Sequence, residues 1–320
     1  MSCSPARVPA KSVLFNFKLD CVRRRTRQWE PERSDMPFLL SRGGRNIPTE
    51  VQRWQYFMRK QGISQVGSID ADFGLNTETA TALFQIRMGL ANNGKLDRPT
   101  LDVAETLGYK VQPNNYYQSK PAGFPARPAS LSSPSNASRN RDFTCFRFMQ
   151  LPRNRRPDDE SIVQKGSCDG REPDWVAEHI VTIQIPQLDL AKGYEGRFRC
   201  HRQAAPVFAA LFAKWEAENL LHLILSYEGC FVARYTRGSS PGPDGHGLKN
   251  SSDVGTLSNH SFGSAFDINF ADNQRGTTPA PFGARGCVRE LVEAANSLNI
   301  FWGGHFGTQD GMHFEIAKLT

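Results

Sequence analysis

An α+β fold in two foldable blocks is what the sequence predicts, and three observations carry it. The chain has 320 residues, about twice the length of an ordinary single domain. A first block shows apolar residues at three- and four-residue spacing, and a later block mixes helices and alternating strands without regular βα succession, which favours an antiparallel sheet. Between them lies a stretch dominated by proline, serine and arginine, the composition of a linker.

In residues 49–109, Val51, Trp54, Phe57 and Met58 form one apolar stripe and mark the first helix. A second runs over about 77–88, with Ala80, Leu83, Phe84 and Ile86 inward and Thr77 as its N-cap. A third starts at Thr100, turns Leu101, Ala104 and Leu107 inward, and stops at Gly108. Three short helices in about 60 residues are just enough for an independent domain. In the later block, residues 180–185 alternate apolar and polar and read as a strand. Residues 203–219 form an amphipathic helix with Val207, Phe208, Leu211, Phe212 and Trp215 on one face. Residues 221–226, 266–270 and 312–316 read as strands and 287–298 as a helix. The expected organisation is a basic disordered tail over 1–35, a helical domain over 36–110, an extended mobile linker over 111–160 and a second domain over 161–320. Met36 is a plausible alternative start.

The net charge is +7, from 39 Lys+Arg against 32 Asp+Glu. Residues 1–35 carry +4 and residues 109–160 carry +5, so the remainder sums to −2. The basic excess therefore belongs to tail and linker, and a specific nucleic-acid partner is not expected. No apolar run is long enough for a transmembrane helix, and the N-terminus lacks the order of a secretory signal, because its arginine cluster comes after the apolar patch. The seven cysteines show no C-x-x-C spacing, which argues against a cysteine zinc knuckle.

Two neighbourhoods could do chemistry: Ser258-Asn-His260-Ser-Phe-Gly263-Ser-Ala265-Phe-Asp267 and Asp310-Gly-Met-His313-Phe-Glu315. Two imidazoles and one carboxylate suit a catalytic zinc site with its fourth position open. His260, Asp267 and His313 are the candidate metal ligands, and Asp310 is the candidate general base. Asp310 and His313 differ by an odd number, so Gly311 must lie in a turn if both are to reach one centre. Glu315 shares the strand face of His313 and either orients that ligand or is simply solvated.

The motif Ser258-x-His260-x-x-Gly263-x-Ala265-x-Asp267, with Asp310-x-x-His313 after it, resembles the signature of the VanY-like zinc D-alanyl-D-alanine carboxypeptidases and L-alanyl-D-glutamate endopeptidases, which share a fold with the hedgehog signalling domain. The resemblance covers roughly residues 170–320, including Pro186-Gln187-Leu188, a helix start at Cys200-His201-Arg202, and Trp302-Gly303-Gly304. It implies an antiparallel-sheet zinc domain with His260, Asp267 and His313 on Zn2+ and Asp310 as base. It also implies that Arg234, in Gly229-Cys-Phe231-Val-Ala-Arg234, holds substrate or the developing oxyanion, with Arg237 as a rival. The first block, with Ile69-Asp70-Ala-Asp72-Phe73-Gly74, Thr77, Phe84-Gln85, Asn93-Gly94 and Thr100, is similar to the three-helix peptidoglycan-binding domain of wall hydrolases. It departs from that pattern at Ala71, where glycine is common. Together the resemblances imply a zinc-dependent peptidoglycan peptidase, a monomer, acting in the cell wall, periplasm or extracellular space. The alternative is a non-catalytic wall-binding protein with a structural zinc site.

Overall fold

Pro48 opens the first helix, α1 (Pro48–Lys60), where its preset φ suits the first turn; Glu50 near the start and Arg59 and Lys60 at the end complement the helix dipole. The stripe Val51, Trp54, Phe57 and Met58 is buried. The Trp54 ring meets Phe84 of α2 (Leu75–Arg87) and Tyr109 beyond α3 (Arg98–Thr106) edge-on, at centroid distances of 5.7 and 5.3 Å. This is a computed structural model; it describes residues 39–113, 115–151, 160–190, 196–237, 239 and 247–319. The tail expected over 1–35 lies outside the described residues.

Two glutamines tie the helical block together by the same device. Gln55 of α1 reaches Asp70 Oδ1, the Asp72 carbonyl and Thr77 Oγ1 through Nε2 and accepts from the Asp70 and Ala71 amides through Oε1. Gln85 of α2 repeats this one turn motif later, on Asn93 Oδ1, the Lys95 carbonyl, Thr100 Oγ1 and the Gly94 amide. Thr77 is therefore not the N-cap that its position suggested. It is buried inside the first turn of α2, serving the glutamine, while α3 is capped by Asp97, which accepts from the Thr100 amide at 3.0 Å. The two turns are conformational equivalents: Ala71 and Gly94 both have φ of 69°. A Cβ is disfavoured there by about 1–2 kcal/mol.

The linker expected over 111–160 is corrected within its described residues. They include α4 (Asn136–Asp142) and β1 (Phe146–Gln150), and Phe143, Phe146 and Phe148 are fully buried in the main core. Three phenylalanines so placed override the polar, proline-rich composition, because their burial outweighs the cost of ordering the short segment that carries them. A disulfide from Cys145 to Cys168 fastens β1 near its partner β2 (Ile162–Ser167).

All pairings among the described strands are antiparallel, and helices stand apart from them, as α+β requires. One sheet runs β2–β1–β6, with β6 (Lys249–Asn250). The short α5 (Trp175–His179) leads into a hairpin that pairs β3 (Ile180–Gln184) with β4 (Arg197–His201). The third sheet is built from β5 (Tyr227–Gly229), β7 (Ala265–Ile268), β9 (His313–Ile316) and β8 (Ile300–Trp302), in that order. Helix α6 (Ala205–Ala217) lays Phe208, Leu211, Phe212 and Trp215 on that sheet, and α7 (Val292–Ser297) packs beside β8. Cys200 and His201 end β4 instead of opening a helix; α6 begins at Ala205, with Pro206 in its first turn.

Residues 221–226 are not a strand. Leu221–Leu223 form a 3-10 turn, and residues 223–226 are held by one side chain from far along the chain. Asn269 Oδ1 accepts from the Leu225 and Ser226 amides at 2.7 and 3.2 Å, and its Nδ2 donates to the Leu223 and Gly286 carbonyls at 2.7 and 3.1 Å. Asn269 also has φ of 55°, which ends β7 at Ile268 and excludes Phe270 from the strand.

Replacing Asn269 by alanine leaves the Leu223 carbonyl and the Leu225 and Ser226 amides without that partner, while the Gly286 carbonyl keeps Asn273, and should cost about 3–5 kcal/mol in urea unfolding. Asn269→Gly relieves only the left-handed backbone, so it should cost nearly as much; a near-native Asn269→Gly would assign the effect to conformation instead. Ala71→Gly should stabilise the protein by about 1 kcal/mol in the same measurement.

Candidate metal centre

The first motif enters its site through a short 3-10 turn, Asn259–Phe262, capped by Ser258, whose Oγ accepts from the His260 amide. Gly263 closes that turn at φ of 63°, and a Cβ there would stand 2.6 Å from the His201 amide nitrogen. Only glycine fits both the left-handed backbone and the close passage of β4. The chain then turns into β7, where Asp267 sits directly opposite His313 of β9. Asp310 precedes β9, and Gly311 and Met312 make the turn that the odd spacing demanded.

His260, Asp267 and His313 are buried, and one ligand atom from each lies within 4.8 Å of the others. His260 Nε2 is 3.2 Å from Asp267 Oδ1 and 3.2 Å from His313 Nδ1; His313 Nδ1 is 2.9 Å from Asp267 Oδ1. A tetrahedral zinc with bonds of about 2.0–2.1 Å spaces its ligand atoms about 3.3 Å apart, so the group fits the ion. The outward ring nitrogens are engaged elsewhere. His260 Nδ1–H donates to the Cys230 carbonyl at 2.7 Å, and His313 Nε2–H donates to Glu315 Oε2 at 3.0 Å. Each imidazole is thus held with its other nitrogen turned to the ligand group.

The charges respond to this crowding. Burial works to raise Asp267, but the adjacent His260 and His313 outweigh it and hold its carboxyl well below the usual range. Burial lowers His260, with Asp267 only partly opposing it. For His313 burial also works against the charged form, yet its hydrogen bonds to Asp267 and Glu315 prevail and push it up to about 10. Without metal, the group retains a proton on His313 at neutral pH.

The centre opens on a cleft of about 340 Å³ that Arg234, Arg237, Asp310, His313 and Glu315 help to line. Asp310 is 9% exposed, and its Oδ1 has no hydrogen-bond partner among the described residues. Burial raises its pKa, with the nearby Asp267 adding to the rise and His313 pulling the other way. Arg234 is buried at the cleft wall, its backbone fixed by Ser258 and Ser261. Arg237 lines the same cleft, so both candidate arginines are beside the centre. Glu315 is buried and bonded to His313, not solvated. Of the other histidines near these motifs in the sequence, His305 faces the Pro125 carbonyl at 3.0 Å, and His246 lies outside the described residues. Two further residues at this site carry no sequence signal of their own, Arg139 of α4 and the side-chain amide of Asn259; no motif singles out one arginine in an arginine-rich stretch.

Residues 252–316 match a protein family described as D-alanyl-D-alanine carboxypeptidase. That span contains His260, Asp267, Asp310 and His313 and ends with β9. The match supports a hydrolase of the peptidase type. No curated protein and no solved structure matches the chain significantly.

A zinc ion held by this group would require neutral imidazoles, so its uptake would displace the His313 proton. Titrating zinc into metal-free protein in weak buffer at pH 7–8 should bind about one ion and release about one proton. Affinity should climb with pH until His313 deprotonates near 10. Uptake without proton release would contradict the assigned state of His313.

Proposed function

We propose that the chain is a zinc-dependent peptidoglycan peptidase that hydrolyses stem-peptide bonds, of the D-alanyl-D-alanine carboxypeptidase or L-alanyl-D-glutamate endopeptidase type. One observation carries the reading: three converging ligand atoms at zinc spacing, next to a carboxylate oxygen without a hydrogen-bond partner among the described residues. His260, Asp267 and His313 would hold the ion. Zinc bound there supplies Lewis acidity and a water acidified towards neutral pH.

Asp310 takes a proton from the attacking water at its Oδ1 and returns it to the leaving amine nitrogen. Its raised pKa brings it closer to the working pH, which favours both transfers. Arg234, a fixed guanidinium on the same cleft, holds a substrate carboxylate or the developing oxyanion, with Arg237 beside it. The helical block over 36–110 binds wall glycan in this reading, and the segment carrying α4 and β1 belongs with the core of the block over 161–320. Action in the cell wall, periplasm or extracellular space is supported by the Cys145–Cys168 disulfide, which persists in oxidising compartments. No helix among the described residues is long and apolar enough to cross a membrane.

Asp310→Ala should retain zinc while losing about 10²–10⁴ in kcat on a defined stem peptide. A base acts only when deprotonated, so wild-type kcat/KM should fall as pH drops through the Asp310 pKa, with that limb above the ordinary aspartate value of about 3.9. Mass spectrometry of the products identifies the bond cut. A zinc-loaded Asp310→Ala variant with full hydrolysis sinks the base assignment.

A further inference from the structure

Helix α4 lies outside the matched span, yet it closes on the loop that delivers His260. Arg139 is 5% exposed. Its Nη1 donates to the Leu257 carbonyl and its Nη2 to the Val254 carbonyl, at 3.3 Å for the latter. Its Nε is fixed by Asn136 Oδ1 at 3.0 Å, and its guanidinium carbon stands 5.1 Å from the Phe262 ring centroid. From this anchorage Nη1 also faces Asn259 Oδ1 at 3.5 Å. Asn259 Nδ2 in turn donates to Glu315 Oε2, the same oxygen that His313 Nε2 contacts at 3.0 Å.

A guanidinium can only donate, and that fact propagates. Asn259 must offer Arg139 its oxygen, which leaves its NH₂ for Glu315. Glu315, an ionised carboxylate, only accepts, so it takes the Nε2–H of His313 on one side and is steadied by Asn259 on the other. Once the imidazole is neutral, the lone pair of Nδ1 faces Asp267 and His260. We propose that Arg139 is a positioning residue of the metal centre: it orients Asn259 so that its NH₂ meets Glu315, and through this relay steadies the carboxylate that holds His313 by Nε2 and turns Nδ1 towards a metal. This deepens the zinc reading and rests on it. The 3.5 Å separation makes the link to Asn259 largely electrostatic, and the fixed positive charge beside Glu315 acts in the same sense.

Zinc affinity, read by competition with a chelator, tests the relay without relying on turnover. Arg139→Gln should weaken zinc binding about 10–100-fold, as loss of an outer partner of a ligand does. Because Arg139 also clamps the 254–257 backbone, a second set of variants separates polarity from clamping. Asn259→Asp leaves an acceptor for Arg139 but sets two acceptors face to face at Glu315, and it should weaken zinc by a similar factor. Adding Glu315→Gln restores the order, since the glutamine NH₂ donates to Asp and its oxygen accepts from His313. The double variant should therefore bind zinc at least about tenfold more tightly than Asn259→Asp alone. No recovery in a folded double variant, or an Arg139→Gln variant within about twofold of wild type, overturns the relay. A wild-type protein that takes up no zinc overturns the metal reading itself, and the relay with it.

Discussion

One cross-strand pair organises the site. Asp267 of β7 and His313 of β9 face each other in register, and a slip of one residue would turn both to the opposite side of the sheet. That register is held from the other face as well, where Phe266 stacks on Phe314 with centroids 5.5 Å apart and planes 10° from parallel. Trp215 of α6 seals both rings edge-on. Apolar packing on one side of two short strands thus sets the spacing of ionisable groups on the other. The left-handed Asn269 ends β7 immediately beyond and binds the neighbouring turn, so the pair is held from its end as well as from beneath.

The ligand group was legible because its information is local. His260 and Asp267 stand seven residues apart, Asp310 and His313 three apart, and parity alone requires the turn at Gly311. The three helices of the first block were legible for the same reason, as spacing within each helix. What failed was whatever a distant side chain decides. Residues 221–226 have a strand's composition, but the Leu225 and Ser226 amides bind Asn269, more than forty positions away, in place of a neighbouring strand. Thr77 has a cap's position, but Gln55 claims its hydroxyl. Residues 135–150 have a linker's composition, and only three phenylalanines, spaced for no single period, betray that they are buried.

That last failure also changes the meaning of the charge. The +5 of residues 109–160 has, by composition alone, the look of a mobile, solvated excess. Arg139 belongs to that count, yet it is buried against backbone carbonyls and the Phe262 ring, where burial, partly opposed by Glu315, lowers its pKa to about 10. A formal charge says nothing about whether a guanidinium meets solvent or a carbonyl. The distinction is functional: an exposed arginine steers an anionic polymer at long range, whereas a buried one fixes the orientation of its neighbours.

The same segment alters how the helical block can serve the cleft. A module on a mobile tether raises the local concentration of an enzyme at its polymer, with no control over how the enzyme faces it. Here Gln52 of α1 donates to the His222 carbonyl at 3.0 Å, the Thr49 amide reaches the Gly283 carbonyl, and Arg285 bridges the Asp70 carbonyl and Asp272. Tyr116 bonds Glu290 at 2.7 Å, and Arg289 ties down the Ala122 and Phe124 carbonyls, so the connecting chain is itself part of the packing. A docked block gives up reach and gains orientation. Any polymer strand that it holds would meet the cleft at a set distance and angle, because the loop carrying Asp272 and Gly283 continues directly from the end of β7 at Asn269. The constraint that aligns Asp267 with His313 therefore extends, through the loop after β7, to the helical block.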